Sequence, residues 1–352
     1  MNTLTELRER LLALDAKPLH AERVLRHWLQ ARPQDSGRRR PEHFLPQRLR
    51  EGLPAVEADL AALARLHSRH PAGDGSERLL VALADGQTVE AVLLPRGGLC
   101  VSTQVGCAVG CGFCMTGREG LKRQLGSAEI AAQVALARTL RPVKKVVFMG
   151  MGEPAHNLDA VLEAIEALGT AGGIGHKELV FSTVGDRRVF ERLPQGRVKP
   201  ALALSLHSLD AARRAELLPR APAFEPAELL EAGIDYARAT GYPLQVQWTL
   251  LEGVNDGEDE LQALEARLAR RPAILNMIPW NRVESLPYRR PSAERVTEIF
   301  RRLNQRGVLT RMRQSAGQEV EAGCGQLRSR VQGGGLAVQW AGRNPAEPAG
   351  KS

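Results

Sequence analysis

Aromatic residues are scarce in this chain of 352 residues: four Trp, three Tyr and seven Phe make up 4% of it. Few rings are therefore on hand for stacking unpaired bases. Cysteine is scarcer still, at five. Any apolar run approaching the ~20 residues of a membrane-spanning helix is missing, so no membrane association is expected. The opening stretch, MNTLTELRERLLALDAKPLH, alternates apolar and charged residues and lacks the apolar centre and small-residue cleavage site of a signal peptide. A soluble, cytoplasmic protein is the expectation, in which thiols stay reduced and clustered cysteines bind metal or do chemistry rather than form disulfides. Acidic residues are in deficit, 40 against 48 Lys and Arg, for a net charge of +8. That excess suits a polyanionic partner such as RNA, whose phosphates Lys and Arg neutralise. With 43% hydrophobic and 25% charged residues, the chain is long and apolar enough to bury a core, as one large domain or one domain plus an appendage.

Residues 1–72 read as a small helical, basic accessory domain, with apolar residues three and four apart in LTELRERLLALDA, AERVLRHWLQAR and VEADLAALARLH. The basic, proline-punctuated loop RPQDSGRRRPEHFLPQRLR is a candidate phosphate contact or a solvated loop. Residues 73–92 read as a β-hairpin, RLLVALAD and TVEAVLLP about Gly86, leading into the core. From there to residue 330 strands and helices alternate, beginning with LCVSTQ and a helix capped by Ser127 and ending at SAERVTEIFRRLNQRG, six βα units in all. An α/β fold with a curved parallel sheet and outer helices follows. Chemistry in such sheets sits at the C-terminal strand ends, where the cysteine loop, GMGEP, STVGD, SLHS and PWN all fall. Residues 331–352, rich in Gly, Pro and Ala without periodicity, read as a disordered tail.

Four of the five cysteines fall in CVSTQVGCAVGCGFC, residues 100–114. Cys107, Cys111 and Cys114 form C-x3-C-x2-C. Structural zinc wants a fourth ligand, usually in a second pair, and none follows; a ferredoxin cluster wants a fourth cysteine nearby. Three thiolates in a tight loop instead leave one iron of a four-iron cluster open to an exogenous molecule. Zinc with a histidine as fourth ligand is the competing reading.

With Phe113 before the last cysteine, this loop resembles the signature of radical S-adenosylmethionine (SAM) enzymes. More narrowly, LCVSTQVGCAVGCGFCMTG, FMGMGEPAHN, STVGD, ALALSLH, GVNDG, NMIPWN and CGQL, in this order, resemble the RlmN/Cfr-like adenine methyltransferases over roughly residues 76–330. The resemblance implies a partial (βα)6 radical SAM barrel holding one [4Fe-4S] cluster on Cys107, Cys111 and Cys114, with SAM on the open iron and two SAM molecules used per turnover. It implies SAM contacts from Gly152, Glu153, Ser182, Ser205, Leu206, His207 and Asn281. It also implies that Cys324 is methylated by one SAM and carries the methyl group, that Cys100 resolves the intermediate through a disulfide, and that Glu90 is the general base, a task Cys100 could also perform.

The expected activity is thus methylation of an adenine carbon, C2 ahead of C8, in ribosomal RNA, transfer RNA or both, with flavodoxin or ferredoxin supplying electrons. The alternatives are radical chemistry on a non-RNA substrate and a non-catalytic, metal-bound RNA-binding factor. Two departures from the family pattern stand out: the PRGGL loop between Glu90 and Cys100 is short, and RQSAGQEVEAG precedes Cys324 in place of a basic-glycine stretch with Asp-rich residues.

Overall fold

The computed structural model describes residues 2–36, 40–283 and 285–329 and the backbone of 336–337. Three helices come first, α1 (Leu4–Ala13), α2 (Pro18–Leu29) and α3 (Gln47–Leu63). Their apolar faces, among them Leu4, Leu7, Leu25 and Leu49, join one contiguous core with the sheet and its helices. Two polar ties reinforce this: Leu4 N–H donates to Ser127 Oγ at 2.9 Å, and Arg138 donates to the Leu29 carbonyl at 2.7 Å. Ser127 was expected to cap its helix. The N-cap is Gly126 instead, whose N–H is taken by the Glu129 carboxylate at 2.9 Å, leaving the Ser127 hydroxyl free to grip α1.

The expected hairpin is part of a larger antiparallel unit. Strands β1 (Arg65–Pro71), β2 (Glu77–Ala82), β3 (Thr88–Leu94) and β4 (Gly98–Cys100) pair in sequence. Residues 65–67, read from sequence as the end of the third helix, therefore begin a strand. The helix stops at Leu63 because Ala64 is already extended (φ −148°, ψ 111°). The expected strand LCVSTQ is also two pieces. β4 ends at Cys100, and β5 (Gln104–Gly106) pairs instead with β6 (Leu121–Gln124) in a separate two-stranded sheet that closes the base of the cysteine loop. Gly106 makes that closure possible: its φ is +78°, and a Cβ there would lie 2.1 Å from the Gly120 carbonyl.

The βα alternation follows: α4 (Ser127–Leu140), β7 (Lys145–Phe148), α5 (Leu158–Gly169), β8 (Leu179–Thr183), α6 (Arg187–Arg192), β9 (Ala201–Ser205), α7 (Ala211–Leu217), α8 (Pro226–Thr240), β10 (Leu244–Leu250), α9 (Glu258–Leu268), β11 (Ala273–Pro279), α10 (Ala293–Gln305) and β12 (Thr310–Met312). Strands β4, β7, β8, β9, β10 and β11 run parallel and adjacent, and β12 adds a short seventh. These are the six units read from sequence. Their strands are buried along nearly their whole length, as a parallel sheet covered on both faces requires. The fold is the partial (βα)6 barrel, extended on one side by the antiparallel strands. The last two described residues, β13 (Leu336–Ala337), pair antiparallel with β1. The rest of the 331–352 tail lies outside the described residues, as do Gly37, Arg38 and Arg39 of the basic loop.

Candidate active site

At the C-terminal ends of the parallel strands lies a cavity of about 150 Å³. Cys107, Cys111 and Cys114 line one wall; Gly152, Glu153, Ser182, Ser205 and His207 arrive from the ends of β7, β8 and β9; Cys324 closes it. The triplet has its own apolar packing, separate from the main core: Val109, Phe113, Leu217, Leu218, Leu251, Trp280 and Leu286. Burial pushes the Cys107 thiol up to about 12 and raises Cys111, and the nearby cysteine sulfurs and Glu153 add to both. Thiols crowded this way ionise together only with a compensating positive charge, such as iron. Among the described residues, no group of three or more His, Cys, Asp or Glu is arranged to hold a metal ion. Cys107, Cys111 and Cys114 nevertheless line one cavity, and three thiol donors without a fourth protein ligand fit the donor set of a cluster with one open iron.

Glu153 is buried and held from several sides. Its N–H donates to Gln104 Oε1 at 2.8 Å, while its carboxylate accepts the N–H groups of Ala155 and Val184, both at 3.1 Å. Desolvation still prevails, raising its pKa to about 7. A buried carboxylate in that condition is suited to receive an ammonium group, which would return it to the charged form. Gly152 beside it has φ +104°, and a Cβ there would come within 2.6 Å of Gln104.

His207 is locked as a neutral ring. Its Nδ1 accepts the Thr249 N–H at 2.9 Å, its ring meets Phe113 edge-on at 4.8 Å, and burial, aided by the Arg214 charge, lowers its pKa to about 3. Asn255 braces it, donating to the His207 and Thr249 carbonyls at 2.7 and 2.8 Å. This explains the Asn of GVNDG, a motif whose sequence assigned it no role. Gln247 and Thr249 on β10 also line the cavity and went unnoticed in the sequence, since each reads there as an ordinary strand residue. Arg214 was missed as well; it is buried, and its pKa falls to about 10 through desolvation.

Leu206, Asn281, Glu90 and Cys100 are not among the residues that line the cavity. Leu206 is wholly buried in the main core. Asn281 holds the Cys324 segment, donating from Nδ2 to Ser315 Oγ at 2.8 Å and to the Cys324 carbonyl at 3.0 Å, with its Oδ1 buried and unpartnered among the described residues. Glu90, expected as a base, does not line the cavity. One of its oxygens pairs with the Arg78 guanidinium, the two side chains being 1% and 2% exposed, and the other accepts the Arg328 N–H at 2.7 Å. Cys100 lies beneath, in β4, its thiol pushed up to about 12 by burial and by the nearby Cys324 sulfur. Cys324 keeps an open face at the cavity mouth; its thiol is also raised by desolvation, with Arg313 and Ser315 working against it. All five cysteines are free, so the disulfide expected from the resemblance is absent from this state of the fold.

Among the described residues no helix is long and apolar enough to cross a membrane. The loop residue Phe44 is occupied by the Arg23 guanidinium at 5.3 Å and by the His20 ring at 5.0 Å.

The Radical SAM superfamily profile matches residues 101–264. A "Probable RNA methyltransferase" of Leptothrix cholodnii is 67% identical over 324 residues, covering 92% of this chain and 93% of that protein. Another of that description from Pseudomonas aeruginosa is 64% identical over 328 residues, covering 93% and 95%. Among solved structures, a radical SAM methyltransferase from Sphaerobacter thermophilus superposes with a TM-score of 0.78 at 32% identity, over 93% of this chain and 98% of that one. With the cysteine wall, the parallel sheet and these relatives in agreement, the chain belongs to the RlmN/Cfr-like family of radical SAM methyltransferases.

Proposed function

We propose that the protein methylates an adenine carbon of RNA, C2 in the first instance, using Cys324 as methyl carrier and Cys100 as resolving thiol. The carrying observation is the convergence of Cys324 with Cys107, Cys111 and Cys114 on one cavity, with Cys100 close enough to Cys324 for their sulfurs to interact. RNA as substrate is supported by the relatives' names and by the net charge of +8.

A four-iron cluster on the triplet, with SAM at its open iron, supplies one-electron cleavage of SAM and so a means of removing hydrogen from an unactivated methyl group. An adenine C2 carbon is electron-poor and carries no acidic hydrogen, so a radical route is the one open to it. Glu153, with backbone exposed at Gly152, receives the amino end of SAM; Ser182, Ser205 and His207 contact the remainder. Cys324 holds the methyl carbon as a thioether. Once that carbon bonds to the base, the adduct must shed one electron, which the oxidised cluster would take back, and the ring proton, which goes to a base. A Cys100 thiolate then attacks the Cys324 sulfur: an S–S bond forms, the S–C bond breaks, and its electron pair stays on the carbon, which takes up a proton as the methyl group of the product. A low-potential donor of the flavodoxin or ferredoxin class then returns the two electrons that restore both thiols. Glu90, with both oxygens engaged, fastens the exit of the Cys324 segment, and, like Cys100, stands outside the cavity lining.

Intact-protein mass spectrometry after anaerobic loading and exposure to SAM is expected to find Cys324 one methyl group heavier. Nucleoside mass spectrometry of RNA from a deletion strain is expected to lose 2-methyladenosine. Loss of 8-methyladenosine instead would assign C8, and unchanged RNA would reject the RNA substrate.

A further inference from the structure

Two adjacent arginines on α7 have opposite fates. Arg213 faces outward and pairs with Asp259 at 2.8 Å and Glu260 at 2.6 Å. Arg214 faces inward and is only 4% exposed. One terminal nitrogen donates to the Val184 carbonyl, and its Nε has no partner among the described residues. Val184 is itself tied to the site, its N–H donating to the Glu153 carboxylate at 3.1 Å. The last turn of the same helix reaches the cysteine loop, where the Leu217 carbonyl accepts the Gly112 N–H at 3.0 Å. Arg214 is thereby wedged between the strand end bearing Glu153 and the loop bearing Cys111, and those two groups are its electrostatic partners. It does not line the cavity, which sets it apart from residues that would touch a ligand there.

We propose that Arg214 is a positioning residue whose buried positive charge underlies the Cys107, Cys111 and Cys114 wall, helping hold three thiolates together around an iron–sulfur cluster and favouring the cluster's reduced form. The inference rests on reading the wall as a cluster site. Reduction adds one electron and no proton, so a fixed positive charge nearby stabilises the reduced state and moves the potential upward. Position decides how strongly. Arg118 and Arg220 also touch the loop, at the Gly112 carbonyl (3.4 Å) and the Ala108 carbonyl (2.9 Å), but both are exposed, where water and salt screen them. Arg214 is shielded from both.

The test uses the full chain loaded anaerobically with iron and sulfide, titrated with dithionite through redox mediators and followed by electron paramagnetic resonance of the reduced cluster. Arg214→Met is expected to move the potential downward, Arg214→Lys to stay near wild type, and Arg220→Met to shift it less than Arg214→Met. An unchanged potential in Arg214→Met overturns the proposal, as do equal shifts in the Met and Lys variants. Should Arg214→Met retain no iron, retention by Arg214→Lys supports the charge, and loss from both assigns the residue to packing and overturns it. A wild-type chain that takes up no cluster at all instead rejects the underlying reading of the site.

Discussion

The two thiols outside the triplet are mounted in opposite ways. Cys100 lies within β4, paired to Val92 of β3 on one side and to Val147 of β7 on the other, and buried in the main core. Cys324 sits in a loop between Gly323 and Gly325, the latter at φ +83°, its side chain open to the cavity mouth. What restrains it is a handful of point attachments. Asn281 takes the Cys324 carbonyl, Met115 N–H donates to the Gly325 carbonyl at 2.7 Å, Thr116 holds the Leu327 carbonyl at 2.8 Å, and Asp74 and Glu90 grip the N–H groups of Gly317 and Arg328 at 2.9 and 2.7 Å. Under the proposed mechanism the contrast is a division of labour: a carrier would present its sulfur to more than one partner in a cycle, while a resolver would only wait where the carrier returns, which matches one thiol held by the sheet and the other by breakable hydrogen bonds.

The sharpest way to break the comparison is to delete each thiol. Cys324→Ala is expected to abolish methyl transfer entirely while keeping the absorbance near ~400 nm of a loaded cluster. Cys100→Ala is expected to leave the carrier joined to the base, seen as an RNA-shifted protein band on a denaturing gel. If both variants merely slowed turnover, the division would fail.

Next in size is the anchor between the two settings. Arg78→Met strands the buried Glu90 carboxylate, and thermal or urea unfolding should register a loss of about 3–5 kcal/mol. The double variant Arg78→Met/Glu90→Gln should recover part of it, because no buried charge then remains unpaired.

A pH test probes the fixed wall of the cavity. The folded-state pKa of Glu153, about 7, lies above its ordinary value of 4.5, so the native state binds this proton more tightly than the unfolded chain does. Its contribution to stability is whole below pH 4.5 and is lost as pH rises through about 7, a swing of about 3 kcal/mol at ~1.4 kcal/mol per unit. In cluster-free protein, Glu153→Gln should therefore outmelt wild type at pH 8, with the gap closing towards pH 4.5. A gap independent of pH would show that packing, not charge, separates the two.

Smallest is the loosening of the carrier loop itself. Asn281→Ala removes two hydrogen bonds to that segment, worth about 1 kcal/mol each. It is expected to speed proteolytic cutting within residues 313–329 while changing the melting temperature little.

The parallel half of the fold was legible because strands buried on both faces spell continuous apolar runs, such as KVVF, ALALS and AILNMIP. The antiparallel extension was half hidden. RLHSRHP in β1 is largely polar and only partly buried, so nothing in its pattern contradicts the helix before it. The cysteine wall was legible because metal-ligand spacing survives without geometry. Asn281 and Leu206 belong to motifs beside the cavity but do not line it: motif order reports neighbourhood along the chain, whereas which way a side chain turns at a strand end is settled by packing. Arg214 was invisible for a related reason, since in RRAEL either arginine could have been the one facing solvent.

The separate apolar packing around the cysteine triplet has one more consequence. Its residues pack apart from the contiguous core that unites the helices and sheet, so strain imposed by loading the proposed cluster would fall on this corner first and leave the barrel's own packing intact.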